Sequence, residues 1–254
     1  MSSRAFEGKA AVVTGASSGI GEAIALAMAG EGARLLLSGR SAERLDQVAD
    51  RARALSPAVE TFAADLAEDE AVQALAAHAQ SAFGGVDVLI HSIGLFAAGL
   101  FATSPVQDLD RQYRVNTRVP YLLTQALLPS LISRQGQVLF VNSSTGFHLP
   151  RAGWVAYAAS KHALRALADG LRDEVNQQGV RVITVYPGRT ATPMQEEVHR
   201  YEGKPYAPER FLQPSDIAAA AVNALALPRT AEVTDLHIRP MGPHPNPSPK
   251  GEGL

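Results

Sequence analysis

Cysteine is absent from this chain of 254 residues, which excludes disulfide bonds and thiolate metal sites. The seven histidines show no ligand spacing such as His-Glu-x-x-His, so we expect no metal centre. Lys and Arg form no run and the formal net charge is -2, so the basic surface needed to bind nucleic acid or anionic lipid is also missing. These absences leave a small molecule as the expected partner.

Long hydrophobic runs are lacking too. The longest, residues 88–102, is too short to span a bilayer and contains His91 and Ser92. The N-terminus has no charged-then-apolar signal region, so we expect a cytoplasmic protein without membrane attachment. Hydrophobic residues make up 46% of the chain, enough for a large core. We expect one domain over residues 1–241, followed by a disordered Pro/Gly-rich tail at 242–254.

A glycine-rich turn follows the first short apolar run, residues 9–14, and opens a helical pattern over residues 20–29. Gly15 permits the turn, Gly19 lets backbone N–H groups approach a pyrophosphate, and Gly21 lets the helix pack close to the strand. A glycine turn between a strand and a helix predicts dinucleotide binding.

Similar apolar runs alternate with helical patterns along the rest of the chain. This alternation predicts an α/β Rossmann fold, a single domain with a doubly wound parallel seven-stranded sheet and helices on both faces. Ligands of such sheets bind at the carboxyl ends of the strands. The further predicted strands are residues 34–39, 59–63, 86–90, 137–142, 180–186 and 232–239.

The end of the second strand bears on the choice of cofactor. An acidic residue there would bond a free ribose 2′-hydroxyl, whereas Arg40 suits a 2′-phosphate. We therefore expect NADP(H) rather than NAD(H); the alternative is that Arg40 is a solvated charge. After the third strand, Asp65 either accepts a hydrogen bond from the adenine amino group or caps the next helix.

Two polar residues lie in the middle of the chain. His91 follows the fourth strand, where an imidazole bonded to backbone fits better than a catalytic one. Asn116 stands in a long apolar helical pattern over residues 105–133, where its amide must find partners. It either bonds a neighbouring helix or loop, or bends the helix and holds a water near Lys161.

Tyr157 and Lys161 are four residues apart in a predicted helix that opens near Gly153 or Trp154, so they share one face. For proton transfer near neutrality, the pKa of a tyrosine must fall by about three units, or about 4 kcal/mol. One cation at about 4 Å in an effective dielectric of about 20 supplies that much. The pair is chemically sufficient for acid–base work, although Tyr-x-x-x-Lys is also an ordinary helical pair.

The long connection after the sixth strand, residues 190–213, is polar and aromatic. A connection of this length in a compact domain is usually functional, and its position predicts a lid over the ligand crevice.

Over residues 6–240 the chain resembles the short-chain dehydrogenase/reductase family. The features that carry this resemblance, in their order along the chain, are the turn from Thr14 to Gly21, Asn116, Ser144, Tyr157-x-x-x-Lys161 and Pro187-Gly188. The resemblance implies that Tyr157 is the general acid/base, that Lys161 binds the nicotinamide ribose and lowers the pKa of Tyr157, and that Asn116 supports a proton-relay water. Ser144, thirteen residues before Tyr157 as in the family pattern, would hold the substrate oxygen.

The resemblance also implies a small-molecule carbonyl or alcohol substrate and a homodimer or homotetramer. Substrate choice would depend on Phe96, Leu149, Trp154 and residues 194–211. Thr190 or Thr192 is a candidate for binding the nicotinamide carboxamide. The expected cofactor contacts are Gly15, Ser17, Ser18, Gly19, Ile20, Gly21, Arg40, Asp65, Leu66, His91, Gly94, Tyr157, Lys161, Pro187, Gly188, Thr190 and Thr192.

Two departures from the family pattern bear on function. The segment from His91 to Gly94 replaces the usual Asn-Asn-Ala-Gly and is similar to that of enoyl-thioester reductases, which makes such an enzyme an alternative. Those enzymes, however, place six residues between the tyrosine and the lysine. Ser18 stands where some NADP-dependent members carry a basic residue, so Arg40 is the main argument for NADP(H). A third hypothesis, after the carbonyl reductase and the enoyl-thioester reductase, is a non-catalytic nucleotide-sensing protein, because a fold does not imply a function.

Overall fold

The computed structural model describes residues 4–148 and 150–241, so the predicted disordered tail and Leu149 lie outside the described residues. Strands and helices alternate along the chain as the sequence predicts. The strands are β1 Ala10–Thr14, β2 Arg34–Gly39, β3 Val59–Ala63, β4 Val88–His91, β5 Gln137–Val141, β6 Arg181–Pro187 and β7 Asp235–Ile238. The α-helices are α1 Gly19–Gly30, α2 Ala42–Arg53, α3 Asp69–Phe83, α4 Val106–Tyr113, α5 Val119–Ser133, α6 Val155–Val175, α7 Pro193–Glu202 and α8 Pro214–Leu225.

One sheet holds these strands in the order β3-β2-β1-β4-β5-β6-β7, and every neighbouring pair is parallel. In the central register, Ala11 of β1 lies between Leu35 of β2 and Val88 of β4. Strands β2 and β3 are added on one side of β1, whereas β4 to β7 are added on its other side, so the strand order reverses between β1 and β4. The predicted doubly wound parallel sheet is therefore confirmed, and the reversal marks where a crevice opens at the strand ends.

Successive side chains of each strand enter opposite cores, because the side-chain period of a strand is two. Ala11 and Val13 of β1 join a buried cluster with α1, α2 and α8, whereas Ala10 and Val12 join a second cluster with α3, α5 and α6. Both faces of the sheet are thus covered by helices, as predicted for near-continuous apolar strands.

The helical pattern over residues 105–133 is not one continuous α-helix. A π-helical turn, Arg114–Arg118, separates α4 from α5, and Asn116 lies in its centre. A π turn widens the helix and is frequently found at functional sites. The wider turn presents the Asn116 side chain to the loop that follows β4.

The segment 190–213 is more ordered than the sequence predicts. It contains α7 and a short 3-10 turn, Pro208–Arg210, and an isolated parallel bridge between Thr190 and Leu212 joins its two ends. Pro193 at the first helical position and Thr192 as the N-cap, whose hydroxyl accepts from the Gln195 amide at 3.2 Å, account for the start of α7.

Candidate active site

A crevice of about 430 Å³ lies at the carboxyl ends of the strands, where the strand order reverses. Most of the residues predicted from the sequence line it, although they come from seven separate parts of the chain. Those that line it are Gly15, Ser17, Ser18, Gly19, Ile20, Arg40, Leu66, Gly94, Ser144, Tyr157, Lys161, Pro187, Gly188, Thr190 and Thr192.

The glycine turn has the geometry of a phosphate cradle. Gly15 has a φ of 67°, and a Cβ at that position would lie 2.7 Å from the Ser92 carbonyl oxygen. The Ser18 side chain, at the N-cap of α1, makes no capping hydrogen bond, and Ser18, Gly19 and Ile20 line the crevice. The first turn of α1 therefore offers uncapped N–H groups and the positive end of a helix dipole to an anion, which fits a dinucleotide pyrophosphate.

Gly21 does not line the crevice and acts instead through packing. A Cβ there would lie 2.2 Å from the Gly15 carbonyl oxygen, so only glycine lets α1 start this close to the end of β1. This is the packing role that the sequence indicates for the third glycine of the turn.

Two arginines lie at the ribose end of the crevice. Arg40 follows β2, and Arg44, which no sequence motif indicates, lines the crevice from the first turn of α2. The Ser41 hydroxyl caps this helix by accepting from the Arg44 amide at 3.4 Å. Within the part of the chain that the structure describes, neither guanidinium has an ion-pair partner. Two unpaired cations at this position fit a 2′-phosphate.

Asp65 lies next to this end but not in the crevice itself. It borders a small adjoining cavity together with Arg40, and its carboxylate accepts a hydrogen bond from the Ala67 amide at 3.0 Å. Asp65 does not cap α3, whose N-cap is Glu68; its contact with Ala67 instead orders the turn before that helix. The contact with an adenine amino group stays a prediction.

His91 is not part of the crevice lining, in contrast to its predicted place among the cofactor contacts. Its ring is 1% exposed, stacks on Phe140 at 5.0 Å and is bonded through Nε2 to the Thr124 hydroxyl at 2.9 Å. Burial lowers the pKa of this imidazole to about 3. The partner is a side chain rather than the backbone expected. The two-residue period of a strand explains why the His91 ring points into the core. His91 shares a face of β4 with Leu89, which packs in the core beside α3 and α5.

Tyr157 and Lys161 lie one turn apart on α6, both buried, as the spacing predicts. The Lys161 ammonium lies 5.9 Å from the centre of the Tyr157 ring and donates to the Val141 carbonyl oxygen at 3.3 Å. Burial lowers the pKa of Lys161 to about 8 and raises the pKa of Tyr157 to about 12. The expected fall in the tyrosine pKa is therefore not present here, because loss of water around the phenol outweighs the more distant cation.

The serine bonded to Tyr157 is Ser143, one residue before the serine indicated by the family spacing. A side-chain hydrogen bond joins Ser143 to Tyr157 and acts against the rise in the tyrosine pKa. The Ser143 hydroxyl also accepts from the Thr145 amide at 3.1 Å, as the N-cap of a 3-10 turn, Ser144–Gly146. Ser144 lines the crevice from within that turn.

Asn116 is fully buried behind the crevice and joins two elements around it. Its Oδ1 accepts from the Leu95 amide at 2.7 Å, and its Nδ2 donates to the Leu95 carbonyl oxygen and to the Ser160 hydroxyl, both at 2.9 Å. Ser160 in turn donates to the Tyr157 carbonyl oxygen at 2.7 Å. The contacts therefore show the loop- and helix-bonding role of Asn116; a water near Lys161 stays a prediction.

The segment 190–213 supplies one wall of the crevice through α7, which supports its predicted position beside the ligand. Met194 reaches across, so that a Cβ at Gly94 would lie 3.5 Å from the Met194 Cε. Arg189 and Pro193 also line this wall and were not predicted as contacts, whereas Gln195, Glu197 and Val198 lie in the range 194–211 that is expected to govern substrate choice.

Comparison with known proteins agrees with this arrangement. The family model described as short chain dehydrogenase matches residues 9–203. The chain belongs to the short chain dehydrogenase family. It is 33% identical over 238 residues to an uncharacterised oxidoreductase of Staphylococcus saprophyticus, with 93% of this chain and 99% of that protein covered.

Solved structures similar to this short chain dehydrogenase include NADP complexes. An alcohol dehydrogenase from the archaeon Thermococcus sibiricus, complexed with 5-hydroxy-NADP, superposes with a TM-score of 0.81 at 31% identity, covering 92% of this chain and 97% of the other. A short chain dehydrogenase from Burkholderia cenocepacia in complex with NADP gives 0.82 at 33% identity, with the same coverage. No helix in residues 4–148 or 150–241 is long and apolar enough to cross a membrane.

Proposed function

We propose that this short chain dehydrogenase is an NADP(H)-dependent oxidoreductase that interconverts a carbonyl and an alcohol. The observation that carries the proposal is the hydrogen-bonded pair of Ser143 and Tyr157, on the wall of a crevice that also contains a phosphate cradle. NADPH, when bound, supplies the hydride that reaches the carbonyl carbon.

The residues of the chain supply the proton chemistry. As the carbonyl oxygen gains negative charge, Ser143 donates a hydrogen bond to it and Tyr157 transfers its phenolic proton. Because the pKa of Tyr157 is about 12, the phenol carries its proton at neutral pH and is ready for reduction. In the oxidation direction the same phenol must first lose that proton, and the ammonium of Lys161 favours the phenolate that forms.

Arg40 and Arg44 support NADP(H) over NAD(H). Their guanidinium groups, which form no ion pair with residues 4–148 or 150–241, flank the end of β2, where the adenosine ribose of a dinucleotide lies in this fold. The NADP complexes of the similar structures from Thermococcus sibiricus and Burkholderia cenocepacia are consistent with this preference.

An enoyl-thioester reductase has less support. The segment from His91 to Gly94 motivates that alternative, but the His91 imidazole is buried against Phe140 and does not reach a substrate.

The proposal is tested by mixing the protein with NADPH or NADH and a panel of aldehydes and ketones, and following the absorbance of the reduced cofactor. We expect turnover with NADPH that Tyr157→Phe reduces by about a hundred- to ten-thousand-fold, while the affinity for NADPH changes little. Cofactor binding without turnover on any carbonyl would instead indicate a nucleotide-sensing protein.

We also propose that the protein is a homodimer or homotetramer. Val106, Leu109 and Tyr113 recur on one face of α4 and are exposed, and Tyr121 on α5 is exposed as well. Light scattering after size exclusion measures the mass directly, and a monomer at micromolar concentration would contradict the proposal.

A further inference from the structure

Beside Tyr157, aromatic and apolar side chains line the crevice. Phe96 stands edge-on to Trp154 at 4.9 Å and to Tyr157 at 5.2 Å. Met194 and Val198 of α7 pack into the same cluster, and all of these residues line the crevice. We call Phe96, Trp154, Met194 and Val198 the aromatic compartment. Such walls favour a flat apolar group over a hydrated one.

The charged groups of the crevice are unevenly placed. Arg40 and Arg44 lie at the end of β2, three strand spacings or about 14 Å from β5, where Ser143 and Tyr157 meet. Lys161 lies beneath Tyr157 and is buried. At the substrate end, the charged side chains among the described lining residues that could contact a substrate are therefore Arg189 and Glu197.

Arg189 is not free to bind an anionic substrate. Its guanidinium forms an ion pair with Glu202, whose side chain is only 12% exposed, and lies 3.3 Å from the Nε2 atom of His199. Glu202 also pairs with Lys204 at 3.3 Å. Because Arg189 is paired with the largely buried Glu202, its positive charge is neutralised within the protein and is not available to a substrate anion.

Glu197, in contrast, has no ion-pair partner in the described part of the chain and is exposed at the rim. Its neighbour Glu196 pairs with Arg200 on the outer side of α7. The free charge at the entrance to the aromatic compartment is therefore negative, and it acts against the entry of a second anion.

Resting on the proposed function, we propose that the substrate is a ketone or aldehyde bearing an aryl or similarly flat apolar group and no carboxylate or phosphate. In this arrangement Trp154 and Phe96 contact the apolar group, Ser143 and Tyr157 contact the carbonyl oxygen, and Glu197 lowers the affinity for anionic substrates.

The test uses matched aldehydes and NADPH: 4-isopropylbenzaldehyde, 4-carboxybenzaldehyde and propanal. We expect kcat/KM for the isopropyl compound to exceed that for the carboxylate by at least about tenfold, because a carboxylate gains no partner in the aromatic compartment. Glu197→Gln should narrow this ratio by about three- to fivefold, the range of an exposed charge pair. Glu196→Gln, one residue away and facing outward, is the control and should leave the ratio unchanged.

Trp154 provides a readout that does not depend on turnover, because it is the single tryptophan of the chain. In the presence of NADPH, 4-isopropylbenzyl alcohol cannot react, and its binding should change the Trp154 fluorescence at lower concentration than 4-carboxybenzyl alcohol does. Equal binding of the two alcohols, or equal kcat/KM for the two aryl aldehydes, overturns the inference while leaving the proposed function intact. Absence of turnover on all three aldehydes, propanal included, would count against the proposed function itself.

Discussion

Ser143 and Tyr157 are joined by a side-chain hydrogen bond, although the family spacing of thirteen residues points to Ser144. Ser143 lies two residues after β5 and caps the 3-10 turn that begins at Ser144, so the backbone directs its hydroxyl towards α6. The two adjacent serines therefore have separable roles.

Replacing each serine separately tests this assignment. We expect Ser143→Ala to lower kcat/KM for carbonyl reduction by about a hundred- to a thousandfold, the usual cost of one donor to a developing oxyanion. Ser144→Ala should stay within a few fold of the wild type. Steady-state kinetics with one aldehyde and saturating NADPH measure both, and the opposite ranking would return the role to Ser144.

Lys161 is held in the crevice at a cost in stability. Its pKa falls from 10.5 to about 8 in the folded protein, so below about pH 8 the ammonium is charged in both states but loses its water only in the folded one. Between about pH 8 and 10.5 the unfolded chain binds more protons, so stability rises with pH over that window.

Lys161→Met should therefore make the cofactor-free protein more stable while impairing turnover. We expect a gain of about 2 to 3 kcal/mol in the free energy of unfolding at pH 7, after the lost hydrogen bond to Val141 is counted, and a smaller gain at pH 10. Urea unfolding at the two pH values measures it. The exposed Lys204→Met is the control, with a change of at most about 1 kcal/mol. A loss of stability in Lys161→Met would show that the buried ammonium is stabilising.

The sequence predicts the parts of this molecule that depend on local pattern. Apolar runs broken by glycine predict the strands, and the four-residue spacing places Tyr157 and Lys161 on one face because a helix has a fixed period. His91 could also have been oriented this way, since it has the parity of the buried Leu89 in β4.

Other parts of the site depend on the path of the backbone between elements. Ser143 rather than Ser144 meets Tyr157 because a 3-10 turn begins at the end of β5, and no residue pattern specifies that turn. Arg44 joins Arg40 only because Ser41 caps α2 and brings its first turn over the crevice. Contacts across the crevice, such as Met194 against Gly94, depend on tertiary packing alone.

Arg40 and Arg44 should determine the preference for NADPH. We expect Arg40→Ala to raise KM for NADPH by about ten- to a hundredfold, since a hydrogen bond to a charged group contributes roughly 1.5–3 kcal/mol, and the double variant with Arg44→Ala to raise it further. KM for NADH should change little. Arg53→Ala, which removes a cation paired with Asp50 on the outer end of α2, is the matched control. Equal effects on NADPH and NADH would indicate that the two arginines do not bind a 2′-phosphate.

Gly21 and Gly170 are both helical glycines with opposite surroundings. A Cβ at Gly21 would lie 2.2 Å from the Gly15 carbonyl oxygen, whereas nothing lies within 4 Å of one at Gly170 in the middle of α6.

Gly21→Ala should therefore push α1 away from the glycine turn, destabilise the protein by about 1–3 kcal/mol and weaken NADPH binding. Gly170→Ala should stabilise the protein by about 0.5–1 kcal/mol, because alanine loses less backbone entropy in a helix, and should leave NADPH binding unchanged. Thermal unfolding with and without NADPH separates the two effects. A Gly21→Ala protein with normal stability and normal cofactor affinity would mean that the turn can relax without losing its phosphate cradle.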